Sequence, residues 1–417
     1  MDIEIRHLRA EELPAFGDLI SYVFANSREH HEQLQAGLLN DDSFLKPEWV
    51  LAAMHEGQPV SSLGAYPVEV RVNGRAVPAA AVTTVGTAPG FRRQGLQRRV
   101  MTKALEWHRD SGQTFAMLWA SFGAIYQRYG YGLASAHTSY TWEPSMAALR
   151  DPFESDLAVT LVDWRDAEVR ATVERVYREY AAPRNLAIDR SEEWWRTHVW
   201  PWEFEQKEER RVYLAVARDP RGRPRGYVAY RTKELELPYE PGPNQELETG
   251  DFVALDLDAW RALWNYIRAH DLVKTVQFRW AAEDDPAQDL LLEPRALRRR
   301  TGDAMWLRVV DVPSALEARG YEPDATGEVV LGVRDDLCPW NEGAYRVRVE
   351  GGYASVKRVR SKPQLTLPVG ALGSLYSGFR SATALARADR VEGSVTALRT
   401  ADRLFATAYR PHVMDGF

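Results

Sequence analysis

Apolar residues along this chain recur at two spacings, and the clearest alternation between them lies in the first third of the sequence. A small, β-branched run predicts a buried strand, and a helical pattern follows it until a glycine ends it. A second apolar strand and a tight segment of aromatic residues and glycines come next. The four predicted pieces run over residues 79–87, 93–112, 115–120 and 125–132.

A shorter series of elements precedes this stretch. We predict strands at 3–8, 49–55 and 62–72, and a helix with an apolar stripe at 11–24. The polar block 27–45 carries His30 and His31 side by side. Adjacent residues point to different faces of a helix, so this pair has poor geometry for a metal ion. We therefore predict no metal site.

The same order of elements begins again after residue 158. Strands are predicted at 159–164, 211–218, 226–234, 245–256 and 273–281, and helices at 167–180, 194–200 and 258–270. The repeat favours a degenerate duplicate of the first domain, with an unrelated α/β domain as the alternative. Where the first copy has arginines and a glycine, the second has Asp256 and Asp258, which would repel a phosphate.

A third segment begins near Arg300. Its strands are predicted at 305–311, 329–333, 343–350, 354–359 and 364–368, and its helices at 312–319, 368–376, 381–388 and 394–407. We therefore predict an α/β (α+β) protein of three domains with boundaries at 1–150, 151–299 and 300–417.

Composition narrows the class of partner. The chain of 417 residues is 45% hydrophobic and 27% charged, with a net charge of −6, which does not favour nucleic acid. Its single cysteine, Cys338, allows no internal disulfide and is expected to be a buried structural thiol. The charged start lacks a signal-peptide core and no apolar run approaches the length of a membrane span, so we predict a cytoplasmic protein without membrane contact.

The helix predicted after residue 92 begins with an unfavourable charge pattern. Arg92, Arg93, Arg98 and Arg99 crowd the positive end of the helix dipole, where each cation costs about 0.3–1 kcal/mol. A polyphosphate would reverse that cost, and Gly95 would let it approach the backbone. The loop has neither the Lys-Ser/Thr of a P-loop nor three glycines at dinucleotide-fold spacing. A solvated basic helix end is the alternative.

Two motifs resemble a known family. The run Arg92-Arg93-Gln94-Gly95-Leu96-Gln97 looks like the acyl-CoA pyrophosphate loop of GNAT acetyltransferases, with a bulky residue at the sixth place as in the Eis family (enhanced intracellular survival). Residues 120–132 resemble the Ala-Ser-x-x-x-Ile-Tyr-x-Arg-Phe/Tyr-Gly-Tyr-Gly block of that family, and 306–308, 312–321 and 372–376 resemble its C-terminal domain. The resemblance implies two tandem GNAT-type domains, the second degenerate, followed by a sterol-carrier-like α/β domain.

The resemblance also implies roles for individual residues. Tyr126 would be the general acid, and the α-carboxylate of Phe417 the base, brought to the site by the third domain, with Asp415 as a rival base. Phe24 would border the substrate pocket, where this chain has Asn26 and one member of the family has an acidic residue. The implied contacts of acetyl-CoA are Val85, Gly86, Thr87, Arg93, Gln94, Gly95, Leu96, Gln97, Arg98, Ser121 and Phe122.

The function that follows is acetyl transfer from acetyl-CoA to an amine of a cationic small molecule, such as an aminoglycoside. One alternative is a protein or peptide lysine acetyltransferase of the same chemistry. The other is a non-catalytic carrier of acyl-CoA or lipid. The family resemblance implies a homo-oligomer, a hexamer.

Overall fold

Strands and helices alternate along the whole chain in the computed structural model, which describes residues 3–39, 45–151, 153–205 (202–205 by backbone only), 211–236 and 241–417. The end of the polar block, 40–44, lies outside the described residues. The strands are Glu4–His7 (β1), Val50–His55 (β2), Gln58–Val72 (β3), Arg75–Thr87 (β4), Phe115–Trp119 (β5), Gly132–Leu133 (β6), Ala136–Trp142 (β7), Ala158–Val162 (β8), Val212–Arg218 (β9), Pro224–Glu234 (β10), Gln245–Ala254 (β11), Val273–Ala281 (β12), Arg300–Asp303 (β13), Met305–Val309 (β14), Gly327–Arg334 (β15), Gly343–Glu350 (β16), Tyr353–Val359 (β17), Leu365–Pro368 (β18) and Glu392–Gly393 (β19). The α-helices are Leu13–Val23 (α1), Arg28–Leu38 (α2), Leu96–Asp110 (α3), Gly123–Gln127 (α4), Ala167–Ala181 (α5), Glu192–Trp194 (α6), Leu257–Arg268 (α7), Ala287–Leu290 (α8), Val312–Ala318 (α9), Val369–Tyr376 (α10), Ala382–Arg387 (α11) and Val395–Leu404 (α12), and Trp195–Glu205 forms a π-helix.

The first sheet has the order β1-β2-β3-β4-β5-β14-β6. Its long hairpin β3–β4 turns at Asn73 and Gly74, which both have the positive φ values that a tight hairpin needs. Amphipathic α3 covers one face, where Val100, Met101 and Leu105 are fully buried. The apolar spacing that predicted this helix is therefore the spacing of its core contacts.

The second sheet has the order β13-β7-β12-β11-β10-β9-β8 and forms a core of its own around α7. Trp264 of α7 stacks on Trp142 of β7 with ring centroids 4.5 Å apart. The third sheet, β17-β16-β15-β18-β19, is flanked by α10, whose residues are all buried.

The chain forms two compact units rather than a simple succession of sheets. The first unit comprises 1–135, 304–408 and 415–417, and the second comprises 136–303 and 409–414. β7 consequently belongs to the second sheet, and β14 inserts into the first sheet between β5 and β6. The order of elements alone could not show these two placements, because a hydrophobic pattern does not identify a strand's neighbours.

Candidate active site

The first feature of the site is a gap between two parallel strands of the first unit. β4 and β5 pair over three residues of each strand, beginning at Ala79 and Phe115. Within the described residues no later pair joins them, although β4 continues to Thr87 and β5 to Trp119. Ligands of open α/β sheets bind where the carboxyl ends of strands diverge in this way.

A β-bulge distorts β4 beside this gap. The pairing of β3 with β4 shifts between Ser62 and Gly64, so that Thr84 and Val85 stand opposite a single residue. Thr84 has a φ of +48°, an uncommon conformation for a β-branched residue. Bulges leave backbone groups unpaired and occur next to active sites, so the carboxyl end of β4 can present its amides to a ligand.

The start of α3 is an open anion-binding geometry. Gly95 precedes the helix with a φ of +77°, and a Cβ placed there would meet no atom within 4 Å. No side chain caps this terminus, and the first backbone bond runs from Arg99 N to Gly95 O at 3.2 Å. The amides of Leu96, Gln97 and Arg98 therefore point out of the helix without an intrahelical acceptor.

The four arginines predicted at this loop divide into two pairs. Arg92 Nε donates to Thr87 O at 3.0 Å, and Arg99 donates to a backbone carbonyl near the N-terminus at 3.4 Å. Arg93 and Arg98 are exposed, and in the described chain their side chains make no hydrogen bond or ion pair. Arg93 also has a φ of +62°, which moves the helix start from the predicted residue 93 to Leu96. Alternating left-handed residues of this kind form anion-binding concavities.

Gln97 fixes the helix start to the sheet. Its Oε1 accepts hydrogen bonds from Ser61 Oγ at 3.0 Å and from Thr87 Oγ1 at 3.1 Å. Ser61 Oγ also lies 3.0 Å from Gly86 O. A small residue at the sixth place of the loop could not make these contacts, which gives a physical reason for the bulky residue there.

Tyr126 lies in α4, the short helix that follows β5. Its side chain is 6% exposed and its ring packs edge-on against that of Tyr131, with centroids 5.9 Å apart. Burial raises the pKa of Tyr126 above its ordinary value, while a hydrogen bond with Ser121 acts in the opposite direction. The phenol therefore stays protonated at neutral pH and can donate a proton.

Arg308, to which the sequence analysis gave no role in the site, holds the segment that carries this tyrosine. It is fully buried on β14, with Nε 2.9 Å from Tyr129 O and Nη2 2.8 Å from both carboxylate oxygens of Asp335. A Cβ on Gly130 would lie 2.8 Å from Arg308 Nε. The glycine in the aromatic segment is thus required by the close approach of this arginine. Its partner lies 27 residues away in sequence, so no local signal could have revealed it.

The C-terminal tail reaches the same end of the first sheet. Asp415 is 6% exposed, and its carbonyl oxygen accepts a hydrogen bond from Trp119 Nε1 at 3.0 Å. Two residues span at most about 7 Å, so the carboxylate of Phe417 lies within a short distance of the carboxyl end of β5. The side chain of Phe417 is half-buried. The tail is therefore held, whereas most chain termini fray.

The remaining predicted site residues lie around this gap. Phe24 follows α1 and is 48% exposed, while its neighbour Val23 lies 3.1 Å from where a Cβ on Gly86 would be. Ser121 and Phe122 lie between β5 and α4, and Phe122 is 62% exposed. The structure thus brings the predicted residues to one end of the first sheet: Phe24, Val85, Gly86, Thr87, Arg93, Gln94, Gly95, Leu96, Gln97, Arg98, Ser121, Phe122, Tyr126 and Phe417.

Comparison with known proteins decides the family. Acetyltransferase (GNAT) domain models match 4–134 and 186–309, and a sterol carrier protein domain model matches 312–414. An uncharacterized N-acetyltransferase of Streptomyces avermitilis is 32% identical over 425 residues, covering 100% of this chain and 99% of the relative. N-acetyltransferase Eis of Mycobacterium tuberculosis is 28% identical over 365 residues, 84% of each chain. The crystal structure of Eis1 from Mycobacterium abscessus superposes with a TM-score of 0.83 at 29% identity over 100% of both chains. The chain belongs to the Eis family of GNAT N-acetyltransferases.

Membership confirms the predicted fold of two GNAT domains and a sterol-carrier-like domain, and the predicted acetyltransferase activity. The GNAT fold implies acetyl-CoA as co-substrate, and the uncapped start of α3 with the exposed side chains of Arg93 and Arg98 fits the diphosphate of that molecule. Cys338 is fully buried, and burial raises the pKa of its thiol to about 12. It is therefore not a nucleophile at neutral pH.

The described residues contain neither a membrane-spanning helix nor a cluster of metal ligands. None of their helices is both long and apolar enough to cross a membrane. Within that same part of the chain, His, Cys, Asp and Glu form no group of three that could hold a metal ion.

Proposed function

We propose that this Eis-family enzyme acetylates amines of cationic small molecules, such as aminoglycosides, by direct transfer from acetyl-CoA. Tyr126 acts as the acid and the α-carboxylate of Phe417 as the base. The observation that carries the proposal is the hydrogen bond of Trp119 with Asp415, because it holds the end of the chain at the carboxyl end of β5. The segment that bears Tyr126 follows this strand directly.

Tyr126 and the carboxylate of Phe417 account for both proton transfers in the proposed reaction. The amine nitrogen bonds to the thioester carbonyl carbon, the carbon–sulfur bond breaks, and Tyr126 gives its proton to the leaving thiolate. The proton lost by the nitrogen passes to the carboxylate of Phe417, directly or through water. An α-carboxyl group has a reference pKa of about 3.3–3.7, so it is ionised and able to accept that proton at neutral pH. The carboxyl group of Phe417 then releases its proton to solvent, and a proton from solvent restores Tyr126.

The binding of the co-substrate uses the loop and the bulged strand. The amides at the start of α3, with the side chains of Arg93 and Arg98, hold the diphosphate. The amides at the carboxyl end of β4, from Val85 to Thr87, hold the pantetheine arm and the carbonyl oxygen. This arrangement places the thioester at the gap between β4 and β5.

The acceptor class follows from charge and from exposed aromatic surface. The protein carries a net charge of −6, which favours cationic ligands over anionic ones in solution. Phe24 and Phe122 expose large ring surfaces near the carboxyl end of β4 and β5. Aromatic faces bind cations and sugar rings, which suits a polyamine or an aminoglycoside. We also propose that the protein is cytoplasmic and, from the family resemblance alone, that it forms a hexamer.

Turnover measurements test the two catalytic roles. Tyr126→Phe is expected to lower kcat about 10²–10⁴-fold, the usual contribution of a general acid, and to leave acetyl-CoA binding unchanged. Tyr131→Phe is the matched control, because its buried hydroxyl donates to Met101 Sδ at 3.8 Å and not to a residue of the predicted site. Equal rates of thiol release in the two variants would remove Tyr126 from the mechanism.

The role of the carboxylate is tested by moving it. One glycine added after Phe417 shifts the carboxylate by about 3.5 Å and removes no residue. We expect this extension to lower kcat at least tenfold with an unchanged dissociation constant for acetyl-CoA. A panel of aminoglycosides, polyamines and lysine peptides, assayed by thiol release, separates small-molecule from peptide acceptors. Binding without turnover for every amine would favour the carrier alternative.

A further inference from the structure

The second unit contains the same divergence of strands as the first, but without a coenzyme loop. β11 and β12 pair in parallel from Gln245 to Thr249, and β11 then continues to Ala254. The pairing of β10 with β11 shifts between Val228 and Tyr230, which is a bulge at the place corresponding to that of β4. The degenerate domain has therefore kept the gap between its strands.

The helix that follows this gap cannot bind a phosphate in the same way. Asp256 caps α7, with Oδ1 2.8 Å from Ala259 N, and its other oxygen accepts from Arg225. The carboxylate satisfies the helix amides and repels an anion. The gap in the second unit is thus available for a different ligand.

The C-terminal tail occupies this end of the second sheet. Arg410 N donates to Asp284 Oδ2 at 2.9 Å, just beyond the end of β12. His412 N donates to Asn185 O at 2.9 Å. These two bonds fix the tail backbone at alternate residues, as in an extended peptide held in a groove.

A stacked arginine adds a side-chain contact to the tail. The guanidinium of Arg184 lies 4.4 Å from the ring centroid of Tyr409 and 4.1 Å from that of Tyr180. Arg184 Nε is buried and has no hydrogen-bond partner within the described structure. Its contribution there is therefore the contact with the two rings, and cation–π contacts strengthen when they are shielded from water.

The imidazole of His412 is buried at the same place and is 8% exposed. Burial lowers its pKa to about 3, and the positive charges of Arg184 and His137 act in the same direction, while Asp251 on the bulge of β11 opposes them. The exposed Arg410 keeps the segment cationic, whereas the imidazole of His412 is uncharged at neutral pH. Its electrostatic neighbours lie on β7, on β11 and in the loop after α5.

We infer that the gap of the degenerate GNAT domain is an intramolecular peptide-binding site, and that its ligand is the tail segment 409–414. A site that holds a coenzyme in the first copy holds a peptide of the same chain in the second. Residues 415–417 follow this segment directly in the chain, so fixing it restricts the residues that carry the carboxylate base of the proposed function on which this inference rests. Arg184 and Asp284 are positioning residues for the tail.

Hydrogen exchange measured by mass spectrometry on the full-length protein tests this site. Arg184→Ala and Asp284→Ala are expected to speed amide exchange in peptides covering 409–417 at least tenfold. They are also expected to let a carboxypeptidase remove Phe417. Arg184→Lys and Asp284→Asn keep the cation and the acceptor, so they should retain most of the protection. Arg165→Ala is the matched control, because Arg165 stacks on Trp164 at 4.4 Å without touching the tail.

The outcomes separate this inference from the proposed function. Unchanged exchange of the tail in both alanine variants overturns the peptide-binding site, whatever the activity. A loosened tail with a lower kcat and an unchanged acetyl-CoA dissociation constant supports both the site and the carboxylate base. A loosened tail with full kcat supports the site and removes the carboxylate from the mechanism.

Discussion

Helices α3 and α7 follow equivalent diverging strands, and their first residues differ in one decisive respect. α3 follows a left-handed glycine, Gly95, and within the described part of the chain it has no side-chain cap and Arg93 and Arg98 beside it have no hydrogen-bond or ion-pair partner. α7 begins at Asp256, which caps the helix and pairs with Arg225. Both helices bury an apolar face against their sheet, so the core requires the same pattern in each copy.

The difference shows where local stability has been given up for binding. An aspartate cap stabilises a helix by about 1 kcal/mol, and cations at a helix N-terminus cost about 0.3–1 kcal/mol each. The start of α3 has no such cap and carries cations, so it is locally less stable. The start of α7 has the cap and is locally more stable. The fold survives in both because packing of the apolar face contributes most of a helix's stability in a protein.

Giving α3 an aspartate cap like that of α7 should cause the largest loss of acetyl-CoA affinity. In Gly95→Asp, a carboxylate would satisfy the helix amides and repel the diphosphate, while its Cβ would strain a residue with a φ of +77°. We expect the dissociation constant for acetyl-CoA, measured by calorimetry, to rise at least a hundredfold.

Gly112→Asp is the control for this substitution. Gly112 ends the same helix with a φ of +75° and open space around it, so the strain is matched. Its acetyl-CoA affinity should stay within about twofold of the parent. A similar loss of affinity in both variants would attribute the effect to strain and not to the anion site.

Replacing Arg93 and Arg98 tests how much positive charge at the start of α3 contributes to acetyl-CoA binding. A hydrogen bond to a charged group contributes about 1.5–3 kcal/mol, so Arg93→Ala and Arg98→Ala should each weaken acetyl-CoA binding about tenfold or more. The dependence of affinity on salt should also become shallower. Lys103→Ala, on the exposed face of the same helix, should leave the affinity unchanged. Loss of affinity in Lys103→Ala alone would contradict the placement of the diphosphate.

The neutral His412 of the second unit predicts a pH effect of intermediate size. Its folded pKa is lowered to about 3, so the released or unfolded chain takes up a proton first as the pH falls below about 6.5. The stabilisation is complete above pH 6.5 and decreases toward pH 3, by about 1.4 kcal/mol at pH 5.5. The difference in unfolding free energy between the parent and His412→Gln should therefore shrink between pH 7.5 and 5.5. A difference that does not change with pH would show that this histidine is not buried as a neutral group.

The cap of α7 gives the smallest predicted effect. Asp256→Ala should lower the free energy of unfolding by about 1 kcal/mol, because the amide of Ala259 loses its acceptor. Acetyl-CoA affinity should be unchanged, since this helix start binds no phosphate. A changed affinity, measured beside a thermal melt of the same sample, would mean that the second copy retains a coenzyme role.

The local hydrophobic pattern was enough to predict the strands and helices, but some of their bounds depend on features that this pattern does not show. The strands Val273–Ala281 and Gly343–Glu350 have the predicted bounds, because their apolar alternation is set by burial within one strand. The start of α3 was predicted three residues early, since nothing in the arginine-rich run announces a left-handed Arg93.

The arrangement of the site was only partly predictable. The loop and the aromatic segment were found because they are contiguous motifs. The pair of Arg308 with Asp335 and the bond of Trp119 with Asp415 join residues far apart in sequence, and each residue alone is ordinary. The buried tail is short and lacks the spacing of a helix or a strand, so its sequence resembles that of a frayed terminus.

The central claim, that the start of α3 binds the coenzyme's diphosphate, is tested most directly by a thermodynamic cycle. Dissociation constants for acetyl-CoA and for S-acetylpantetheine, which lacks the diphosphate, would be measured on the parent and on Gly95→Asp. We predict that the substitution weakens acetyl-CoA at least a hundredfold and leaves S-acetylpantetheine within about twofold. Equal losses for both ligands would contradict the account, because the substituted residue would then not act on the diphosphate.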